Sequence, residues 1–197
     1  MYQILPSPGK GLGLFATQLI PVGTKLLSDP YILHTPADLI SNPIQLYAAV
    51  LALPPNQQAT YLSLAHTADH TKKYSYLQQA KTYNIPPHTI PAHLLEEAAK
   101  VSAIFDVNAF NLDSKGQSGA AVALQVARIN HSCVPNAHQV WDAEGGRIDV
   151  DAKVDIQAGE EITITYVDLG RSREDRRSAL RECYDFECGC EACDAGI

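Results

Sequence analysis

Four of the chain's five cysteines fall within its last fifteen residues, at Cys183, Cys188, Cys190 and Cys193, and only Cys133 lies upstream. The run Cys188-Gly189-Cys190-Glu191-Ala192-Cys193 reads C-x-C-x2-C. Three thiols within six residues converge on one ion if the chain turns tightly, and Gly189 eases that turn. An odd cysteine total, behind an N-terminus with no charged region leading into an apolar one, argues against a disulfide framework. Thiolates at this spacing favour zinc, which takes four soft ligands in a tetrahedron when its role is structural. The fourth ligand is either Cys183, nearby in sequence, or Cys133; a distant ligand would pin the tail onto the body of the domain. The bland alternative is a tail of free thiols.

A chain of 197 residues suggests one domain with an insertion, burying about 70% of its unfolded surface. With 46% hydrophobic and 19% charged residues, wholesale disorder is excluded. No apolar run approaches the ~20 residues needed to span a bilayer. Net charge is −7, and it is uneven: residues 1–100 carry six Lys+Arg against five Asp+Glu (+1), the remainder nine against seventeen (−8). Such a chain is poorly suited to phosphate backbones and better suited to a basic peptide, or simply has an acidic surface. The cluster Asp149, Asp151, Asp155, Glu160 and Glu161 either attracts basic peptides or forms solvated turns. Arg171, Arg173, Arg176, Arg177 and Arg181, interleaved with Glu174, Asp175 and Glu182, read as a paired helix face.

Residues 10–35 alternate like strands, with a turn at Pro21-Val22-Gly23. Residues 36–112 read as short helices over 43–53, 56–65, 72–83 and 92–105. Strands return from 120, with Gly145-Gly146 turning a hairpin between 138–142 and 147–150, and a β-branched strand over 162–166. A charged amphipathic helix over 171–182 leads into the cysteines. The expected organisation is 1–35 and 113–170 as two parts of one mostly β domain, 36–112 as a helical insert, and 171–197 as helix and metal tail.

Gly9-Lys10-Gly11-Leu12-Gly13 matches G-x-G-x-G, but a nucleotide-binding Rossmann turn needs a buried strand before it and a helix directly after, and neither is visible. The glycines still allow close backbone approach to a ligand, or shape a turn. Asn130-His131-Ser132-Cys133-Val134-Pro135-Asn136 follows the apolar run 120–129, so its amides and imidazole hold either a loop or a ligand. A Cys-His nucleophilic pair fits poorly if Cys133 ligates metal.

Three segments in this order, Lys10 to Ala16, Asn130 to Asn136 and Gly159 to Tyr166, closely resemble the motifs of SET-domain methyltransferases. The tail Tyr184-Asp185-Phe186-Glu187-Cys188-Gly189-Cys190-Glu191-Ala192-Cys193 resembles the family's post-SET zinc segment, and the cysteine of N-H-S-C points to the SET-and-MYND subgroup. The resemblance implies an α+β, mostly β, pseudoknotted fold of short strands with a helical insert and a zinc-binding tail closing over the active site. It implies S-adenosylmethionine as donor, a protein lysine as acceptor, and one structural zinc held by Cys133, Cys188, Cys190 and Cys193, with Cys183 a bystander. By position, Lys10, Gly11, Leu12 and Gly13 contact the cofactor through their backbone, Asn130 and His131 hold its amino-acid or adenine portions, and Phe186 packs on the adenine. Tyr166 is the active-site tyrosine, also touching the cofactor, and Tyr184 lines the lysine channel; Asn108 and Phe110 match a further segment more loosely. The phenol of Tyr166 is expected to align the reacting groups rather than act as a base, since it titrates near pH ~10.

The MYND finger and helical C-terminal domain of that subgroup have no counterpart in the 197 residues, so much of its substrate cleft is missing. Two other readings follow from that departure: an inactive, zinc-stapled protein-binding module, or a SET fold working on a non-protein substrate. The expected partner is a protein or peptide presenting lysine, basic like a histone tail, with no direct nucleic-acid or membrane contact. A monomer in the cytoplasm or nucleus completes the expectation.

Overall fold

The computed structural model describes residues 1–36, 43–67, 91–112, 119–142 and 144–195. The chain folds as two compact units, Met1–Pro30 with Gln125–Ile197, and Tyr31–Leu124. Mostly strands with a few helices, it has the α+β character expected. The helix expected over 72–83 lies outside the described residues. Among the described residues, no helix is long and apolar enough to cross a membrane.

In the first unit, β1 (Tyr2–Ser7) and β2 (Gly11–Ala16) form an antiparallel hairpin, with Tyr2 opposite Ala16 and Ser7 opposite Gly11. Its turn carries Gly9 and Gly11 at φ +74° and +79°, a conformation costly for residues with a Cβ. β1 runs through Pro6, which is tolerated because this strand is the sheet edge. The glycine motif is therefore followed by a strand and not a helix, which disposes of the Rossmann alternative.

The order of this sheet is β1-β2-β9-β6, where β6 is Asn130–His131 and β9 is Glu161–Ile164. Leu14 stands opposite Ile162 in the antiparallel β2–β9 pair, while Asn130 and His131 pair in parallel with Thr163 and Ile164. Leu14, Ile20, Ile129, Ile156, Ile162, Ile164 and Leu180 form the core here, none more than 1% exposed. Each such side chain contributes about 1.5–3 kcal/mol by leaving water.

The long strand β3 (Lys25–Thr35) pairs through residues up to Pro30 with β8 (Arg147–Ala152), which pairs with β7 (Ala137–Asp142). The expected glycine turn joins β7 to β8, and Asp142 closes it by accepting from Gly145 N–H at 2.9 Å. Asp29 of β3, buried, accepts from the N–H groups of Gln125 at 2.6 Å and Val126 at 3.0 Å. It thereby anchors the 3-10 turn Val126–Arg128 that delivers the chain to β6.

α4 (Arg173–Tyr184) begins at Ser172, whose hydroxyl accepts from Asp175 N–H at 3.1 Å, and ends at Asp185 with φ 60°. That left-handed residue is the one non-glycine positive φ among the described residues. It turns the chain back along the helix, so Arg177 and Arg181 pair with Glu187 at 2.8 and 3.1 Å. The sequence reading had paired these arginines with acids inside the helix. Arg176 is buried rather than part of a charged face. A single turn, α5 (Glu191–Asp194), carries Cys193.

The second unit holds α1 (Pro43–Leu51), α2 (Pro55–Leu62) and α3 (Ala92–Asn108), then β4 (Phe110–Asn111) and β5 (Ala120–Ala123). β5 pairs with β4 and with the Tyr31–Thr35 half of β3. Tyr61 of α2, fully buried, donates to the Val101 carbonyl at 2.8 Å and ties α2 to α3. Asn108 is buried and gives its amide hydrogens to the carbonyls of Ala65 and Ile104, both at 2.7 Å.

Candidate active site

Every residue of the expected site belongs to the first unit. The hairpin turn presents Lys10 at its tip, and the space a Gly11 side chain would occupy is open to 4 Å. Gly13 differs: a Cβ there would collide with Glu161 Oε1 and come within 2.8 Å of Asn130 Nδ2. Those two side chains are tied together. Asn130 Nδ2 donates to Glu161 Oε1 at 2.7 Å and to the Leu12 carbonyl at 3.1 Å, while Lys10 Nζ lies 3.1 Å from Glu161 Oε2. The glycine at 13 is required by this close approach.

The remaining polar groups of the Asn130–Asn136 heptad serve the sheet. Asn136 donates to the Glu161 carbonyl at 2.8 Å and accepts from Thr163 N–H at 2.8 Å, completing the hydrogen bonding of β9. His131 is buried, and its Nδ1 accepts from Tyr166 N–H at 3.1 Å. The proton therefore sits on Nε2, which faces Cys133 Sγ at 3.3 Å and donates to it. Burial, reinforced by the positive charges of Lys10 and Arg176, pushes the imidazole down to about 4, so it is neutral at physiological pH.

Around His131 stand three more rings. Its centroid lies 5.4 Å from Tyr166 and 6.1 Å from Phe186; Tyr166 lies 4.9 Å from Tyr184, and Tyr184 lies 6.4 Å from Phe186. The Tyr166 hydroxyl donates to the Ile129 carbonyl at 2.6 Å. Burial raises its phenol well above the ordinary range, and the charges of Tyr184 and Glu161 raise it further. Tyr184 is raised by burial too. Both phenols stay protonated at neutral pH, which removes them as bases.

The thiol sulfurs of Cys133, Cys188, Cys190 and Cys193 all lie within 4.8 Å of one another, a group able to hold a metal ion. They pack with Leu180, Tyr166, Tyr184 and Phe186, so the rings and the thiols share one cluster. Cys183 is exposed on α4 and outside the group. Burial raises the Cys133 thiol to about 11. Burial raises the Cys190 thiol, but hydrogen bonds from the backbone N–H groups of Cys193 and Cys133, together with those from the Cys188 and Cys193 side chains, lower it to about 7.

The structure thus brings together Gly13 and Asn130 with Lys10 and Glu161, and His131, Tyr166, Tyr184 and Phe186 with the four cysteines. Gly11 and Leu12 lie on the exposed start of β2, where only the Leu12 carbonyl joins the network. The sequence reading missed Glu161 as a site residue. It also missed that the acidic cluster is largely engaged internally: Asp149 with Lys25, Ser28 and Arg147, Asp155 with Val22 N–H, and Glu160 with Gln157 N–H. The signal for Glu161 was there in its position beside the apolar Ile162, Ile164 alternation, on a strand rather than in a turn.

Residues 11–167 match the model of the SET domain. The chain belongs to the SET-domain family. It is 28% identical over 193 residues to the histone-lysine N-methyltransferase set5 of Schizosaccharomyces pombe, spanning 98% of this chain and 50% of that protein. A SET domain-containing protein of Acanthamoeba polyphaga mimivirus is 26% identical over 195 residues, covering 93% of this chain and 74% of its own length. The human N-lysine methyltransferase SMYD2 is 38% identical over 88 residues, 44% of this chain and 20% of SMYD2. The crystal structure of the SET domain of LSMT bound to lysine and AdoHcy matches with a TM-score of 0.59 at 16% identity, covering 95% of this chain and 53% of that one. The SET domain described here therefore has the fold of that structure, while spanning about half the length of set5.

Proposed function

We propose that this SET domain transfers a methyl group from S-adenosylmethionine to the side-chain amine of a protein lysine, with basic segments such as histone tails, cytoplasmic or nuclear, as the preferred class. The observation that carries the reading is the convergence of His131, Tyr166, Tyr184 and Phe186 on one cluster, beside a glycine hairpin with open space at Gly11. Histone-lysine and N-lysine methyltransferases among the relatives support it. Lys10, Gly11, Leu12 and Gly13 would lie along the cofactor, Asn130 would hold its polar groups, His131 would meet it through its backbone because both ring nitrogens are already bonded, and Phe186 would cover its adenine. When bound, S-adenosylmethionine supplies an electrophilic methyl on a cationic sulfur.

The chain's own contribution is positioning, a source of up to roughly 7–11 kcal/mol when two reactants are held in line. Tyr166 cannot deprotonate the lysine, because its phenol is raised by burial and committed to the Ile129 carbonyl. The amine loses its proton to solvent before it attacks, favoured by desolvation beside the Tyr166 and Tyr184 rings. Cys133, Cys188, Cys190 and Cys193 would hold zinc as a closed four-thiolate site, with no open position for chemistry and a purely structural role in ordering Tyr184 and Phe186. His131 Nε2–H supports that site by donating to Cys133 Sγ.

The test is transfer of labelled methyl from S-adenosylmethionine to arrays of lysine-bearing peptides, against the same arrays with arginine in place of lysine. Lysine-dependent label incorporation supports the reading; label on neither array, from protein carrying one zinc per chain, refutes it.

A further inference from the structure

An asparagine amide has two nearly isosteric ends, so what it offers a ligand depends on which end its neighbours consume. Both hydrogens of Asn130 Nδ2 are consumed here, one by the Glu161 carboxylate at 2.7 Å and one by the Leu12 carbonyl at 3.1 Å. Turning the amide over would set Oδ1 against two acceptors. Among the described residues, Oδ1 itself has no hydrogen-bond partner. The carboxylate is fixed in turn: Lys10 holds Oε2 at 3.1 Å, leaving Oε1 to Asn130, and its backbone is pinned by Asn136 and by the antiparallel pairing of Phe15 with Glu161. Gly13 supplies the room in which the two side chains meet.

We infer that Glu161 is a positioning residue for cofactor recognition, orienting Asn130 so that its Oδ1 is presented as an acceptor to the protonated amine of the cofactor's amino-acid portion. The inference rests on the reading of this site as one for S-adenosylmethionine. A charge-assisted bond from Asn130 to a carboxylate is roughly twice as strong as a neutral one, which suits it to hold one of two amide orientations. Glu161 acts through Asn130 and touches no reacting atom.

The discriminating experiment compares two ligands across variants. S-adenosylhomocysteine carries the amino-acid portion; 5′-methylthioadenosine has the same adenosine and thioether without it. Calorimetry and ligand-observed NMR on zinc-loaded protein give both affinities for wild type, E161A, E161D and E161Q. In E161A the affinity for S-adenosylhomocysteine falls about tenfold or more, while that for methylthioadenosine stays within about twofold. E161D, which keeps the charge but shortens the reach, behaves like E161A and provides the same reading if E161A does not fold. E161Q, which keeps an acceptor for Asn130, recovers to within about threefold of wild type. Equal weakening of both ligands, unchanged binding in E161A and E161D, or failure of E161Q to recover each overturns the inference while leaving the cofactor reading intact. A wild type that binds neither ligand overturns both.

Discussion

The glycine hairpin and the cysteine tail belong to one compact unit, and they are held in unlike ways. Around Gly13 and Asn130, the groups that fix the geometry belong to strands or are bonded to them: β2 pairs with β9, β9 with β6, and Asn136 closes the ladder at Glu161 and Thr163. Behind them lies an aliphatic core of Leu14, Ile129, Ile162 and Ile164. Tyr184 and Phe186 instead stand at the end of a helix and on the turn after it. Beyond Leu180, the buried members of their cluster are Cys133, Cys188 and Cys193. One side is a hydrogen-bonded sheet over an aliphatic core; the other is a cluster of rings and thiols able to hold a metal ion. Cofactor affinity should therefore be separable from the stability of the sheet.

The largest expected effect breaks the tail side alone. Cys193→Ser, or removal of metal by a strong chelator, is expected to lower S-adenosylhomocysteine affinity by more than about 100-fold, beyond what loss of an outer-shell partner costs. Amide hydrogen exchange should then show Tyr184–Asp194 unprotected and Ile162–Ile164 still protected; simultaneous loss of both would contradict the separation. Ile162→Ala breaks the sheet side, at about 2–5 kcal/mol measured by denaturant titration, and lowers binding only through unfolding. Asn136→Ala strands two backbone partners on β9, and about 1–3 kcal/mol of stability should go with them.

Tyr166→Phe sits where the two sides meet. It removes one hydrogen bond to the Ile129 carbonyl, and turnover should fall about 10-fold or more with cofactor affinity within about twofold. Unchanged turnover would remove Tyr166 from the reaction. The smallest effect is expected from Glu187→Gln, which releases Arg177 and Arg181; the thermal midpoint should stay essentially where it is in wild type.

Much of this was legible in the residues because the chemistry is local. C-x-C-x2-C brings three of the four grouped thiols together by spacing alone, β-branched alternation marks β9, and the Gly145-Gly146 turn marks the β7–β8 hairpin. What was illegible is partnership at long range. The alternation places Glu161 on a strand, but nothing near Lys10 or Asn130 announces it as their partner, because β9 reaches them only by pairing with both β2 and β6. The partner of the Tyr166 hydroxyl is a backbone carbonyl, common to every residue type. Arg173 pairs with Glu174 inside the helix, but Arg177 and Arg181 pair outside it because a left-handed Asp185, unusual for a residue with a Cβ, folds Glu187 back onto α4.

The account is tested most directly by titrating S-adenosylmethionine into protein shown to carry one zinc per chain, with calorimetry as the readout. It predicts saturable one-to-one binding that disappears on chelation while the sheet stays folded. Absence of binding by zinc-loaded, monodisperse protein would contradict it.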